Sequence, residues 1–192
     1  MLQIKVARLT ALTLTIIGAA ALTSCGGSTA PIPTPQATVP ATTPKAQDAG
    51  SQTMSAEEAQ VLREVNAARA VARTCGDVAY AATTPLTWNG FLAGAARAHT
   101  ADMAARNYFA HVSPEGSTIS MRAEAAGYTG WLTLGENIAA GYTIQNVVQG
   151  WIDSPGHCKN LMDPKFKEMG AGYTYRTGST YGTYWAQEFG TR

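Results

Sequence analysis

The sequence predicts an α+β domain in which helices cover both faces of a small, mainly antiparallel sheet, giving three layers. Between residues 55 and 126, apolar residues recur at helical spacing. After residue 168, two runs rich in Tyr, Thr and Trp are separated by a glycine, which is typical of a β-hairpin. Helices on both sides of such a sheet bury its two faces.

Four helices are predicted, over residues 55–73, 89–107, 117–126 and 144–153. Ser55 and Glu58 form a capping-box pattern at the start of the first helix. Asn89 and Thr143 are side chains that favour the N-cap of the second and fourth helices. Gly127 ends the third helix.

The sheet is predicted to contain the hairpin of residues 169–176 and 181–189, with Gly178 in the turn. We expect a short strand over residues 134–139 to join it. That segment contains Glu136, lies between glycines and lacks helical periodicity.

Residues 1–24 are predicted to be a secretion signal. Lys5 and Arg8 give a basic start, and residues 9–22 form an apolar run too short to span a membrane comfortably. The ending Leu22-Thr23-Ser24-Cys25 resembles the lipobox of bacterial lipoproteins, which implies that Cys25 is lipidated after cleavage. The alternative is an ordinary signal peptide with an incidental cysteine.

Residues 25–54 are rich in Pro, Thr, Ala, Gly and Ser, so we expect a disordered tether that carries the lipidated Cys25. Residues 55–192 then form one domain. We expect it in the cell envelope, held at a membrane by the lipid and facing the periplasm or the exterior. Gly26, directly after the cysteine, favours the outer membrane where the organism has one. The net charge of +1 argues against nucleic acid as a partner.

The chain has three cysteines. If Cys25 carries lipid, Cys75 and Cys158 remain as a pair, and an oxidising compartment lets them close a disulfide loop of roughly eighty residues. The alternative is two buried free thiols.

The candidate site consists of His111, Glu136 and His157. The chain has only three histidines. His111 and His157 lie in loop-like surroundings rich in Gly, Ser and Pro, whereas His99 lies on the apolar face of a predicted helix. We therefore interpret His99 as a structural core histidine outside the site.

Two imidazoles and a carboxylate are the chemistry of an open divalent-metal site, with zinc as one candidate ion. His111 and His157 would be the nitrogen ligands, and Glu136 would act directly or through water. The same set can act without metal as an acid/base pair, or hold loops together by hydrogen bonds. His-Glu-x-x-His, Cys-x-x-Cys and Gly-x-Ser-x-Gly motifs are absent from the sequence.

Several ordered motifs resemble the CAP superfamily, which comprises cysteine-rich secretory proteins, antigen 5 and pathogenesis-related proteins and is also called the SCP domain. The resemblance covers nearly all of residues 58–190. The motifs are Leu-Thr-Trp-Asn at 86–89, the helix at 95–104, Tyr-Phe-Ala-His-Val-Ser-Pro-Glu-Gly at 108–116, Gly-Glu-Asn-Ile at 135–138, Val-Gln-Gly-Trp at 148–151, Gly-His-Cys-Lys-Asn-Leu at 156–161 and Tyr-Trp-Ala-Gln-Glu-Phe at 184–189.

The resemblance implies an α-β-α sandwich with a cavity of two histidines and two acidic residues, which binds zinc or another divalent ion in some members. His111, Glu136 and His157 match three of these positions. The fourth lies three residues after Trp151, where this chain has Ser154, a poor ligand. Asp153 points about 100° away on a helix, so we expect weaker metal binding than with four ligands.

Two functions follow as hypotheses. The first is a non-enzymatic, membrane-tethered module whose cleft binds a small apolar ligand such as a lipid, a wall component or a protein partner. The second is a metal-dependent hydrolase in which His111 and His157 hold an ion and Glu136 activates water.

Overall fold

The computed structural model describes residues 53–192. The predicted signal peptide, Cys25 and all but the last two residues of the predicted tether lie outside these residues. Within residues 53–192, the helices are too short or too polar to cross a membrane.

The described chain contains five α-helices and six strands. They are α1 (Ala56–Arg69), β1 (Arg73–Cys75), β2 (Val78–Tyr80), β3 (Thr87–Trp88), α2 (Gly90–Arg106), α3 (Ile119–Ala126), β4 (Thr133–Ala140), α4 (Val147–Asp153), α5 (Pro155–Met162), β5 (Glu168–Tyr175) and β6 (Thr183–Thr191).

The main sheet has four strands in the order β3-β5-β6-β4. Only the short β3–β5 pair is parallel, while β5–β6 and β4–β6 are antiparallel. The prediction of a small, mainly antiparallel sheet is confirmed. β4 is an edge strand, so one side of its backbone faces away from the sheet.

One face of the sheet is covered by α2, which lies unusually close to β5. A side chain at Gly170 or Gly172 would collide with the α2 backbone at Ala93 or Ala96. Because side chains alternate along a strand, Met169 and Ala171 face the opposite side of the sheet. There they join the larger core, which includes α1, α4 and α5. The predicted three layers are confirmed.

The predicted disulfide between Cys75 and Cys158 is present. It joins β1 to α5, with a Cα–Cα distance of 5.4 Å. The C-terminal end of α5 is held by Arg69, whose buried guanidinium donates to the carbonyl of Leu161 at 2.7 Å and to that of Asp163 at 3.1 Å. The helix that carries His157 is therefore held near its middle by the disulfide and at its C-terminal end by Arg69.

Some element predictions were wrong. The first helix ends at Arg69 because the chain turns into β1, and α5 was not predicted because Ser154-Pro155-Gly156 resembles a turn. Proline is favoured at the first position of a helix, so this segment begins α5. The fourth helix starts at 147, with Asn146 as its N-cap instead of Thr143.

Candidate functional site

Glu136 is the centre of the candidate site. It lies on β4 with its side chain 4% exposed. Its Oε1 is 2.6 Å from Nδ1 of His111, and its Oε2 is 2.5 Å from Nη2 of Arg122. Burial alone would raise the pKa of Glu136, but the hydrogen bond to His111 and the charge of Arg122 outweigh it and lower that pKa. The carboxylate is therefore ionised at neutral pH.

His111 lies in the loop after α2, as predicted. The helix ends at Asn107, whose φ of 56° places it in the left-handed region, where asparagine is tolerated. The imidazole is 55% exposed. When the neutral ring donates its Nδ1 proton to Glu136, Nε2 becomes the acceptor. Glu136 thus orients an accessible imidazole.

Arg122 and Glu188 belong to this site, although neither was predicted as a site residue. Arg122 lies on α3, donates to the carbonyl of Ser117 at 2.9 Å, and has its Nε 3.8 Å from Oε1 of Glu188. Glu188 is fully buried on β6. Burial, followed by the charge of Glu136, raises the pKa of Glu188 well above its usual value. Of the two acids, Glu188 therefore keeps its proton to the higher pH.

His99 also contacts the site, which corrects its exclusion. It is buried as predicted, but its Nε2 lies 3.9 Å from Oε2 of Glu136. Burial lowers the pKa of His99 more than the charge of Glu136 raises it. The neutral ring therefore forms the inner wall behind the carboxylate.

His157 is in the first turn of α5, not in a loop, and is half-buried. Burial, followed by the charge of His111, lowers its pKa. Its carbonyl accepts a hydrogen bond from Nδ2 of Asn137 at 3.1 Å, and Nδ2 of Asn160 donates to the carbonyl of Glu136 at 3.1 Å. These amides bind α5 to β4, so His157 is held beside the strand that carries Glu136.

A cleft of about 230 Å³ lies beside β4. Its walls include Phe109, Ile138, Tyr142, Trp151, Ser154 and His157. Ser154 joins α4 to α5 and lines this cleft. Asp153 does not replace the missing acid, because it lines a neighbouring cleft and accepts a hydrogen bond from Gln149 at 2.7 Å.

The predicted metal centre, with His111 and His157 as nitrogen ligands and Glu136 acting directly or through water, stays a prediction. Both oxygens of Glu136 are bonded to protein groups, and the fourth position is a serine. Catalytic zinc sites use three protein ligands. Over residues 53–192, no group of three or more His, Cys, Asp or Glu side chains is arranged to hold a metal ion. The chemistry that remains is an oriented imidazole, His111, near a half-buried one, His157.

Comparison with known sequences places this chain among related proteins. A model of the cysteine-rich secretory protein family, CAP, matches residues 62–189. The uncharacterised protein YkwD of Bacillus subtilis is 40% identical over 107 residues, which are 55% of this chain and 39% of YkwD. The uncharacterised membrane protein YlbC of the same organism is 36% identical over 88 residues, 45% of this chain and 25% of YlbC. The chain therefore spans well under half the length of these relatives.

Solved structures agree on the fold. An extracellular protein of Bacillus anthracis that contains an SCP domain has a TM-score of 0.57 and 27% identity, covering 74% of this chain and 45% of that one. An outer surface protein from Borrelia burgdorferi has a TM-score of 0.51 and 20% identity, covering 56% of this chain and 77% of that one. The second likeness concerns the fold alone.

Proposed function

The chain belongs to the cysteine-rich secretory protein family, CAP, and from this membership we propose that it is an exported, lipid-anchored binding module. Its ligand-binding part is the cleft beside β4. The observation that carries the proposal is the engagement of both oxygens of Glu136 by His111 and Arg122. A carboxylate held in this way orients the imidazole of His111 for recognition.

The lining of the cleft supports binding of a partly apolar ligand. Phe109, Ile138 and Trp151 supply apolar walls, while His157 and Ser154 supply polar groups. Ligand sites are typically apolar with a few placed polar groups of this kind. A small lipid, a wall component or a peptide segment of a protein partner has the required mixture.

Export is supported by the disulfide, since such bonds persist in oxidising compartments. The similar protein from Bacillus anthracis, at 27% identity, is an extracellular protein. Attachment to a membrane through Cys25 remains the prediction made from the lipobox-like sequence.

A second candidate function is hydrolysis, and the bond between Nδ1 of His111 and Glu136 favours it. That bond leaves Nε2 of His111 exposed as a base, which is the arrangement of a general base that activates water. This version needs no metal ion. It predicts turnover of peptides or esters that is lost in His111→Ala.

Binding can be tested by blocking the cleft. The full-length protein in detergent would be screened by calorimetry against palmitate, oligosaccharides and short peptides. We expect at least one probe to bind the wild type and to bind Ser154→Phe at least ten-fold more weakly. Val71→Phe is the matched control, because Val71 is 60% exposed and lines neither the cleft nor its neighbour. Equal binding by Ser154→Phe, or no binding by the wild type, would contradict the proposal.

A further inference from the structure

The cleft beside β4 continues along α4 into a second cleft of about 390 Å³. The two share Tyr142, Gly150 and Ser154. We call the combined feature the α4 groove. It runs from Phe109 and His157 in the first cleft, past Tyr142, to Asn146, Gln149 and Asp153 in the second. A groove built of two joined clefts suits an extended ligand more than a compact one.

Tyr142 is an aromatic platform at the junction of the two clefts. It is 39% exposed. Its carbonyl accepts hydrogen bonds from Oγ1 of Thr183 and Nε1 of Trp185, both at 2.8 Å, which fix its backbone. Its ring lies against Gly150 so closely that a side chain at that position would collide with it. Little conformational freedom is therefore lost when a ligand stacks on this ring.

The far end of the α4 groove is polar and carries no cationic side chain. Asn146, Gln149 and Asp153 present planar amide and carboxylate groups, and Gln149 donates to Oδ1 of Asp153 at 2.7 Å. These groups offer both donors and acceptors to a ligand rich in hydroxyls.

Other ligand classes match this groove less well. An anionic lipid headgroup would meet the carboxylate of Asp153 with no Lys or Arg among the residues that line the two clefts. A wholly apolar chain would desolvate the amides of Asn146 and Gln149 without replacing their hydrogen bonds. A saccharide has both apolar C–H faces and hydroxyl groups around its rim.

We propose that the α4 groove binds a neutral oligosaccharide, with one sugar ring stacked on Tyr142 and its hydroxyls bonded to Asn146, Gln149 and Asp153. The neighbouring sugar lies in the first cleft, between Phe109 and His157. This inference rests on the proposed binding function and specifies the chemical class of its ligand.

The test is calorimetric titration of the full-length protein with N-acetylchitotetraose and with cellotetraose. We expect one of them to bind, and Tyr142→Ala to weaken that binding about ten-fold or more, as for a central aromatic contact. Tyr142→Phe keeps the ring and should bind within about two-fold of the wild type. Tyr175→Ala is the matched control, since Tyr175 is 64% exposed and lines neither cleft.

A second variant tests the same inference in case Tyr142→Ala does not fold. Gln149 and Asp153 are exposed, so Gln149→Ala combined with Asp153→Asn leaves the core intact and should also weaken binding. Sugar binding that survives both changes would overturn the inference. If neither sugar binds while palmitate or a peptide does, and Ser154→Phe blocks it, the saccharide assignment fails but the binding function stands. If no probe binds, both fail.

Discussion

Glu136 and Glu188 are register partners in the antiparallel pair of β4 and β6, and their side chains lie on the same face of the sheet. Arg122 lies close to both, with Nη2 2.5 Å from Oε2 of Glu136 and Nε 3.8 Å from Oε1 of Glu188. The single positive charge of Arg122 can neutralise the negative charge of only one of these two carboxylates. Because the pKa of Glu136 is lowered and that of Glu188 is raised, Glu188 keeps its proton to higher pH than Glu136 does.

Replacing Glu188 with glutamine should make the protein more stable at neutral pH. The folded-state pKa of Glu188 lies above its ordinary value of 4.5, so the wild type loses stability as pH rises above that value. Glu188→Gln removes this loss, and we expect a gain on the order of 1 kcal/mol or more at pH 7. Urea unfolding between pH 4 and pH 8 measures it.

The control for this prediction is Glu124→Gln, the same change on an exposed side chain of α3. Its unfolding free energy should follow the wild type across the pH range. Parallel profiles for Glu188→Gln and the wild type would show that Glu188 is ionised in the folded protein.

Removing the guanidinium should be strongly destabilising. Arg122→Met leaves the buried carboxylate of Glu136 without its cation, and breaking a buried ion pair in this way costs about 3 to 5 kcal/mol. The loss in unfolding free energy should shrink as pH falls, because without the charge of Arg122 the pKa of Glu136 is higher in the variant and its carboxylate protonates earlier. Arg122→Lys retains the charge and should lose less. A loss below about 1 kcal/mol for Arg122→Met at pH 7 would contradict the assigned pairing.

His157 should titrate below 6.5, the ordinary histidine value, because burial and then the charge of His111 lower its pKa. In His111→Gln the repelling charge is gone, so the pKa of His157 should rise. Because the folded pKa is lowered, the stability linked to His157 is present above pH 6.5 and is lost as pH falls through the folded pKa. Imidazole NMR signals report both titrations. A pKa of 6.5 or above for His157 in the wild type would contradict this prediction.

Loss of the disulfide should weaken the fold and loosen α5. The bond closes a loop with a sequence separation of 83 residues, for which chain entropy gives an upper value of about 4 to 5 kcal/mol. We expect the Cys75→Ala, Cys158→Ala double variant to lose up to that amount in urea unfolding. Amide exchange should rise in α5 before it rises in α2. An equal rise of amide exchange in α5 and α2 would contradict a local role of the disulfide in holding α5.

Restoring an acid at the fourth corner should create metal affinity. Ser154 and His157 line the same cleft, so Ser154→Glu adds a carboxylate beside the imidazole of His157. Zinc titration by calorimetry should give binding at least about ten-fold tighter in Ser154→Glu than in the wild type. His111→Ala in the same background should reverse the gain. Tight stoichiometric binding by the wild type would contradict the expectation that Ser154 weakens metal binding.

The sequence was sufficient to predict the layers of the fold, because α1, α2 and the β5–β6 hairpin each carry a strong periodic pattern. β1, β2 and β3 have only two or three residues, too few to show a period. α5 was missed for a different reason. Proline at a helix start and proline in a turn look alike without the tertiary contacts that extend the helix beyond Gly156.

The candidate site was only partly predictable. His111 and Glu136 stood out by motif, and the structure bonds them. Arg122 lies in no quoted motif, and the motif that contains Glu188 did not mark it as a site residue. The role of Glu188 depends on the register between β4 and β6, whose partners at the site are about fifty residues apart in sequence. His99 was assigned to the core, but its approach to Glu136 depends on how closely α2 packs on the sheet.

The two faces of β4 differ in their response to acid. Glu136 titrates, and its bond to His111 depends on its charge. One residue further on, Asn137 points to the other face and bonds to Gln187 and to the carbonyl of His157, through amides that have no pKa in the physiological range. Acidification therefore releases the His111 side of the strand while the α5 side keeps its hydrogen bonds. The contact of β4 with His111 therefore depends on pH, while the contacts of the same strand with α5 do not.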